Sequence, residues 1–136
     1  MRNITWDAAN LVGVSSIDEQ HRGLGGLIDQ LDERIAAQAG IAELRAAFDD
    51  LRHATQIHFL HEERLFHRMP YDGAAQHKRA HDRLLLILKR FQQGLDASAI
   101  SENPAGHAAF LRDWLVRHIR DEDKPLGIHL NSLGIR

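Results

Sequence analysis

The stretch His58-Phe59-Leu60-His61-Glu62-Glu63 places an imidazole and a carboxylate on an otherwise apolar helix face. His58 and Glu62 are four residues apart, so in a helix their side chains lie one above the other on the same face. An imidazole and a carboxylate in a protein core are costly unless partners compensate them, and an unpaired carboxylate costs most. We therefore expect a metal ion at this position. The stripe to which both residues belong steps alternately by four and three: Leu44, Phe48, Leu51, Thr55, His58, Glu62 and Phe66.

The composition is that of one ordinary globular domain, except that histidine is abundant. The chain has 136 residues, of which 43% are hydrophobic and 26% are charged, and its formal net charge is -2. This charge gives no reason to expect nucleic acid or an anionic membrane as a partner. No apolar run is long enough to span a bilayer, and the N-terminus lacks the core of a signal peptide. We therefore expect a single cytoplasmic domain over residues 1–136.

The ten histidines stand beside a complete lack of cysteine. Disulfides, thiolate zinc sites, iron–sulfur clusters and cysteine nucleophiles are therefore excluded. If the chain binds a metal, its ligands must be nitrogen and oxygen atoms.

Four segments show the periodicity of amphipathic helices. The spacing of their apolar residues predicts helices over residues 17–38, 41–67, 73–93 and 104–122. Residues 1–15 show no clear helical period, and we expect them to form an extended arm over the core. Three short or moderate links join the helices, and no segment alternates as a strand does. The predicted fold is all-α, an up-down-up-down antiparallel four-helix bundle with an N-terminal extended arm.

Local signals predict where these helices begin and end. Ser16 to Glu19 fits the S-x-x-E capping box that starts a helix, and Gly40 separates the first two helices. Gly94 is expected to stop the third helix. Asn103-Pro104 predicts an N-cap followed by a proline in the first turn of the fourth helix. Pro125 disfavours helix at the residue before it, which predicts an end near residue 123 and a short tail packed outside the bundle.

Each predicted helix places histidine in its inward seam, and two acids join the histidines. His118 and Asp123 are five residues apart, which an ideal α-helix turns to different faces, but the nearby Pro125 suggests that the helix loosens there. The full set exceeds the four ligands of a tetrahedral zinc site and suits two ions that share bridging carboxylates. Such ligands fit iron or manganese, although copper or zinc would bind them too. The candidate ligands are His21, His58, Glu62, His77, His81, His118 and Asp123.

These residues carry a resemblance to the hemerythrin family, in its bacterial single-domain form. The resemblance runs from about Trp6 to Asp123, which is nearly the whole chain. Its motifs are Asp18-Glu19-Gln20-His21, His58-Phe59-x-x-Glu62-Glu63, Tyr71, His77-x-x-x-His81 and Trp114-Leu-x-x-His118-Ile119-x-x-x-Asp123.

The resemblance implies a centre of two non-heme iron ions joined by an oxo or hydroxo bridge. It implies that dioxygen binds reversibly, as a hydroperoxide, at the iron that keeps an open position. By the same resemblance, Phe59, Trp114 and Leu115 line the oxygen pocket, and no residue has a catalytic role. The implied ligands are His77, His81 and His118 for one iron, His21 and His58 for the other, and Glu62 and Asp123 as bridges.

Other functions stay open at this stage. A di-iron enzyme, acting as an oxidase, a peroxidase or a nitric oxide reductase, is one alternative, and iron storage is another. Ferritin-like oxidases use carboxylate-rich sites with Glu-x-x-His on two helices. This chain has more nitrogen than oxygen ligands, which favours oxygen storage, delivery or sensing without forbidding slow oxidase or peroxidase side reactions. We expect a monomer, and a partner protein that accepts oxygen is conceivable.

Several polar residues fall outside the ligand pattern. Glu63 could contact a ligand histidine from behind or face solvent, and the sequence does not decide between these positions. The remaining histidines are expected on the surface: His53, His61, His67, His107 and His129.

Overall fold

The computed structural model describes residues 4–98 and 104–136, and of residues 96–98 it describes only the backbone. The helices are α1 (Ser15–Ala36), α2 (Ile41–Arg68), α3 (Ala74–Ser98), α4 (Pro104–His118) and α5 (Lys124–Ser132), with a π-helical segment at Ile119–Asp123 between α4 and α5.

The helices form the expected all-α bundle. α1 packs against α2 and α4, and α2 packs against α3. The α4 helix, the π-helical segment and α5 follow one another without a break, so they form the fourth rod of the antiparallel four-helix bundle. The described residues contain no strand. None of the described helices is both long and apolar enough to cross a membrane.

The start of α1 is capped differently from the prediction. Val14 is the N-cap residue and makes no side-chain capping bond, so the capping box expected at Ser16 is wrong. Instead, the Asp18 carboxylate accepts hydrogen bonds from the backbone N–H groups of Val12, at 2.8 Å, and Gly13, at 3.2 Å. The acid at the first turn of α1 therefore ties the N-terminal arm to the bundle.

The α3 helix is longer than predicted. It continues through Gly94 to Ser98, and the side chain of Leu95 is only 1% exposed. Burial of this leucine offsets the roughly 1 kcal/mol that a glycine costs inside a helix. Pro104 begins α4, as expected, whereas the predicted N-cap Asn103 lies outside the described residues.

The fourth rod does not end near residue 122 as predicted. The backbone N–H of Lys124 bonds to the carbonyl of Ile119, five residues earlier, and α5 then continues the rod. Pro125 lacks an N–H, and its ring would press on the carbonyl of Asp121 in a regular α-helix. The wider π-helical turn accommodates this proline without ending the rod.

The N-terminal arm and α5 pack against each other. A side-chain carbon at Gly127 would collide with the backbone carbonyl oxygen of Val12, so glycine allows this close approach. Gly25 in α1 serves the same purpose, because an added Cβ would lie 2.9 Å from the Trp6 ring. The predicted outer tail is therefore helical and forms part of the core, in which Leu126 is fully buried.

Candidate metal centre

The seven side chains that the sequence singled out meet in the interior of the bundle. All are buried, and even the most exposed of them, His118, is only 5% exposed. They come from all four rods of the bundle: His21 from α1, His58 and Glu62 from α2, His77 and His81 from α3, His118 from α4, and Asp123 from the π-helical segment.

These side chains form two clusters that share both carboxylates. Within each cluster, the candidate ligand atoms lie within 4.8 Å of one another. We call the first the three-histidine cluster and the second the two-histidine cluster. The three-histidine cluster contains His77, His81 and His118, the two-histidine cluster contains His21 and His58, and Glu62 and Asp123 belong to both.

Asp123 divides its two oxygen atoms between the clusters. Its Oδ1 lies 2.9 Å from Nε2 of His77 and 3.1 Å from Nε2 of His118. Its Oδ2 lies 2.8 Å from Nε2 of His21. The π-helical turn makes this possible, because it brings a residue five positions after His118 back to the same side of the rod.

Glu62 divides its oxygen atoms in the same way. Its Oε1 lies 3.0 Å from Nε2 of His81 and 3.4 Å from Nε2 of His77. Its Oε2 lies 3.3 Å from Nε2 of His58 and 3.9 Å from Nε2 of His21. Each carboxylate thus offers one oxygen to each cluster, which is the arrangement that two bridging carboxylates need.

The inward-facing atoms of the centre lack the hydrogen bonds that buried polar groups normally make. Among the described residues, no hydrogen-bond partner is found for Nε2 of any of the five histidines or for the four carboxylate oxygens. Such orphaned nitrogen and oxygen atoms suit a pair of cations, and the donor set fits iron by ligand softness. The atoms without partners are Nε2 of His21, His58, His77, His81 and His118, both oxygens of Glu62 and both oxygens of Asp123.

The electrostatics of the centre also favour cations. Burial raises the pKa of Asp123, but the nearby His118 and other histidines lower it more, and the net pKa lies well below its ordinary value. Glu62 behaves alike: burial and Asp123 raise its pKa, and the surrounding imidazoles, beginning with His58, lower it well below the ordinary value. Burial lowers the pKa of His77, yet contact with both carboxylates raises it to about 10. Both acids are thus ionised and attract positive charge.

Two histidines are oriented by hydrogen bonds from their outer nitrogen. His58 Nδ1–H donates to Oε1 of Gln20 at 2.6 Å, and His81 Nδ1–H donates to Oε2 of Glu63 at 2.8 Å. Since both acceptor atoms only accept, the proton of the neutral ring lies on Nδ1, and the lone pair of Nε2 then faces the cluster. Glu63 is therefore a contact of a candidate ligand. Gln20 stands in one of the sequence motifs, but its contact with His58 was not predicted, because it depends on how α1 and α2 pack.

Aromatic rings pack on the three-histidine cluster. Phe59 stacks on His81 with ring centroids 3.7 Å apart and an interplanar angle of 5°. Trp114 stacks on His118 at 4.4 Å and 14°. These stacking contacts restrict the motion of both imidazoles.

A small apolar cavity of about 20 Å³ lies in the bundle, and two of its wall residues, Phe59 and Trp114, are the rings that stack on His81 and His118. This volume is enough for one molecule about the size of water. The hydroxyl of Thr55 donates to the backbone carbonyl of Leu51 at 2.7 Å, so it is already engaged. The three residues expected to line an oxygen pocket are all found in the wall: Leu24, Ile28, Leu51, Thr55, Phe59, Leu84, Leu88, Leu111, Trp114 and Leu115.

The other histidines lie away from the centre. His53 and His67 are exposed, as predicted. His61 contacts the Ser16 hydroxyl at 2.9 Å near the surface. His107 and His129 are exceptions to the expected surface position, since both are partly buried. His107 stacks on Phe91, with ring centroids 3.8 Å apart, and His129 packs against Tyr71, with ring centroids 5.1 Å apart.

The fold and the site together define an all-α four-helix bundle with a buried cluster of histidines and carboxylates that could hold metal. The chain belongs to the hemerythrin family, since the family model described as the hemerythrin HHE cation binding domain matches residues 12–127. This confirms the resemblance found in the sequence motifs.

Individual relatives cover most or all of the chain. The bacteriohemerythrin of Methylococcus capsulatus is 31% identical over 133 residues, which is 97% of this chain and 100% of the relative. The myohemerythrin of Riftia pachyptila is 28% identical over 118 residues, 87% of this chain and 86% of its own. A wild-type hemerythrin crystal structure superimposes with a TM-score of 0.86 at 31% identity, covering 95% of this chain and 98% of that chain.

Proposed function

We propose that this protein binds dioxygen reversibly at a centre of two non-heme iron ions, for oxygen storage, delivery or sensing. The observation that carries the proposal is the division of Glu62 and Asp123 between the two histidine clusters. One oxygen of each carboxylate faces each cluster, so two ions side by side would share both acids. The relatives named hemerythrin and myohemerythrin support iron and dioxygen as the ligands.

The two clusters would hold the ions unequally. The three-histidine cluster would supply three imidazoles to one ion, and the two-histidine cluster would supply two to the other. The ion with fewer protein ligands would have room for a further ligand, which separates a reactive metal site from a structural one. An iron pair held by these residues would supply the electrons that bind dioxygen reversibly.

The protein's own contribution is a dry, apolar environment beside this centre. Phe59, Trp114 and Leu115 line the cavity, and none of its wall residues is charged. A small apolar molecule is favoured there over water, and no acid in the wall can donate a proton to it. This environment favours reversible binding over oxidase or peroxidase chemistry, which needs a proton source.

The test is an optical titration of the ferrous-loaded protein, from strict anaerobiosis to air and back, with metal quantified in the same sample. Two irons per chain, and a visible absorption band that appears with oxygen and disappears on its removal, are expected. Irreversible oxidation with turnover of peroxide or nitric oxide would instead indicate a di-iron enzyme. Fewer than two irons per chain would refute the paired centre.

We also propose that residues 1–136 act as one hemerythrin-like domain. The protein would be a cytoplasmic monomer, and it would exchange oxygen with a protein partner or with solution. Size-exclusion chromatography with light scattering checks the first part: a mass near the chain mass of 15.4 kDa is expected. A mass of twice that value or more would contradict a monomer.

A further inference from the structure

The His81 ring is held on three sides by residues of the single helix α2. Glu62 faces its Nε2 at 3.0 Å. The next residue, Glu63, accepts the hydrogen bond from its Nδ1 at 2.8 Å. One turn earlier, Phe59 stacks on the face of the ring at 3.7 Å. Two consecutive glutamates therefore contact the two nitrogen atoms of one imidazole. Glu62 faces Nε2 within the cluster, and Glu63 accepts the hydrogen bond from Nδ1 on the opposite side of the ring.

His58 of the two-histidine cluster is held differently. Its Nδ1 donates to the side-chain amide of Gln20, at 2.6 Å, and this acceptor is neutral. The two clusters thus differ in the charge behind an otherwise similar imidazole. A carboxylate stands behind His81 and an amide stands behind His58.

Glu63 forms a long ion pair with Lys78, whose shorter contact is to a different acid. Lys78 Nζ lies 4.0 Å from Oε1 of Glu63 but only 2.6 Å from Oδ1 of Asp82, to which it donates a hydrogen bond. Lys78 is therefore engaged mainly by another acid. The side chain of Glu63 is 20% exposed, so it lies at the edge of the bundle with its negative charge directed at His81.

We propose that Glu63 is a positioning residue that makes the two metal positions unequal. Its carboxylate fixes the tautomer and plane of His81 and, through its charge, makes Nε2 of that ring a stronger donor than Nε2 of His58. The ion in the three-histidine cluster consequently binds more tightly for two reasons. The cluster has one more histidine, and the charge of Glu63 strengthens one of its nitrogen donors. This inference rests on the proposed two-metal centre. Within it, Glu63 places a negative charge behind His81, whereas Gln20 gives His58 a neutral acceptor.

The test uses Co²⁺ as the probe, added to metal-free protein in competition with a chelator and followed by its visible absorption spectrum. Two ions of unequal affinity are expected for the parent protein. Glu63→Gln keeps an acceptor of the same shape but removes the charge, and it should weaken the tighter ion about 10- to 100-fold while leaving the weaker ion unchanged. Glu43→Gln makes the same chemical change at an exposed position in the first turn of α2, outside both clusters, and should change neither affinity.

The reciprocal variant makes the test independent of general damage to the fold. Gln20→Glu places a carboxylate behind His58, so it should strengthen the weaker ion about tenfold and shift the part of the spectrum that belongs to it. If Glu63 and Gln20 had purely structural roles, their variants would not weaken the binding of one ion and strengthen the binding of the other. Glu63→Ala, which removes both charge and acceptor, should weaken the tighter ion at least as much as Glu63→Gln.

The outcomes separate this inference from the proposed function. If the parent protein binds fewer than two Co²⁺ ions, the paired centre and the inference both fail. If it binds two and Glu63→Gln matches the parent in both affinities, the inference alone is overturned. The inference is also overturned if Glu63→Ala weakens binding while Glu63→Gln does not, because geometry without charge would then account for the effect.

Discussion

Among single residues, His77 shows most directly how the centre depends on one side chain. Its Nε2 lies 2.9 Å from Asp123 and 3.4 Å from Glu62, so it contacts both carboxylates. It is 1% exposed, and its truncation would leave both acids with less compensation in a buried site. Loss of this imidazole should therefore affect the shared acids as well as one cluster.

The first prediction follows from these contacts. His77→Ala should lower the iron content from two ions per chain to about one or fewer, with loss of the oxygen-dependent absorption band, because the three-histidine cluster loses a ligand. Elemental analysis and optical spectroscopy measure this. The matched control is His53→Ala, which removes an exposed histidine of the same protein and should keep both ions. An unchanged iron content in His77→Ala would remove His77 from the ligand set.

The cavity wall gives a second prediction at this scale. Leu115→Ala enlarges the cavity beside the centre and should admit water, so the oxygenated protein should autoxidise several-fold faster. Leu115 is 3% exposed, so the change also costs stability, about 2–5 kcal/mol for a buried leucine. The rate is measured as the decay of the oxygenated absorption band in air.

Leu130→Ala is the control for this second prediction, because Leu130 is fully buried but is not part of the cavity wall. It should lose stability by a similar amount and keep the parent rate of autoxidation. Equal rates in the two variants would show that Leu115 does not protect the bound oxygen.

At the scale of elements, the π-helical segment explains both a success and a failure of the sequence analysis. The five-residue spacing of His118 and Asp123 does not fit an α-helix, and this misfit indicated correctly that the helix loosens there. Pro125 suggested an end of the helix, whereas the structure continues it as α5. A proline is tolerated in the first turn of a helix as well as after its end, so the sequence alone did not distinguish the two cases.

The other differences arise from contacts that the local sequence patterns do not describe. The N-terminal arm follows a path that brings the N–H groups of Val12 and Gly13 to the Asp18 carboxylate. The local S-x-x-E pattern could not predict the path of the arm. By contrast, the seam residues that become candidate ligands were predictable, because helical period alone determines which residues face inward. The orienting contact of Gln20 depends on how α1 and α2 pack, so local pattern did not predict it.

The interface between the arm and α5 gives the third prediction. Gly127→Ala should destabilise the protein by about 1–3 kcal/mol, because the added carbon collides with the backbone carbonyl of Val12, which cannot move aside as a flexible side chain can. Urea unfolding of the metal-free protein measures the change. Gly26→Ala is the control, since nothing lies within 4 Å of its added carbon, and it should stabilise α1 by up to about 1 kcal/mol. Destabilisation of equal size in both variants would contradict a specific clash at Gly127.

At the scale of the whole molecule, the bundle closes around a polar centre that its own side chains do not satisfy. Apolar seams above and below the centre supply the burial that drives folding. The centre itself contains two ionised acids and the orphaned nitrogens of five histidines. All four rods contribute candidate ligands, so the folded chain brings the centre together and an unfolded chain does not.

This arrangement links metal binding to the stability of the entire bundle, which is the fourth prediction. An ion that binds only the folded chain stabilises it by about 4 kcal/mol when its free concentration is a thousandfold above its dissociation constant. Metal-loaded protein should therefore unfold at a higher urea concentration than metal-free protein, and the midpoint should rise with free metal. His77→Ala should show a smaller rise, because it retains fewer ions. Ions bound by side chains from all four rods must stabilise the whole bundle, because removing them removes contacts from every rod. A midpoint in the parent protein that did not depend on free metal would therefore contradict a metal centre shared by the four rods.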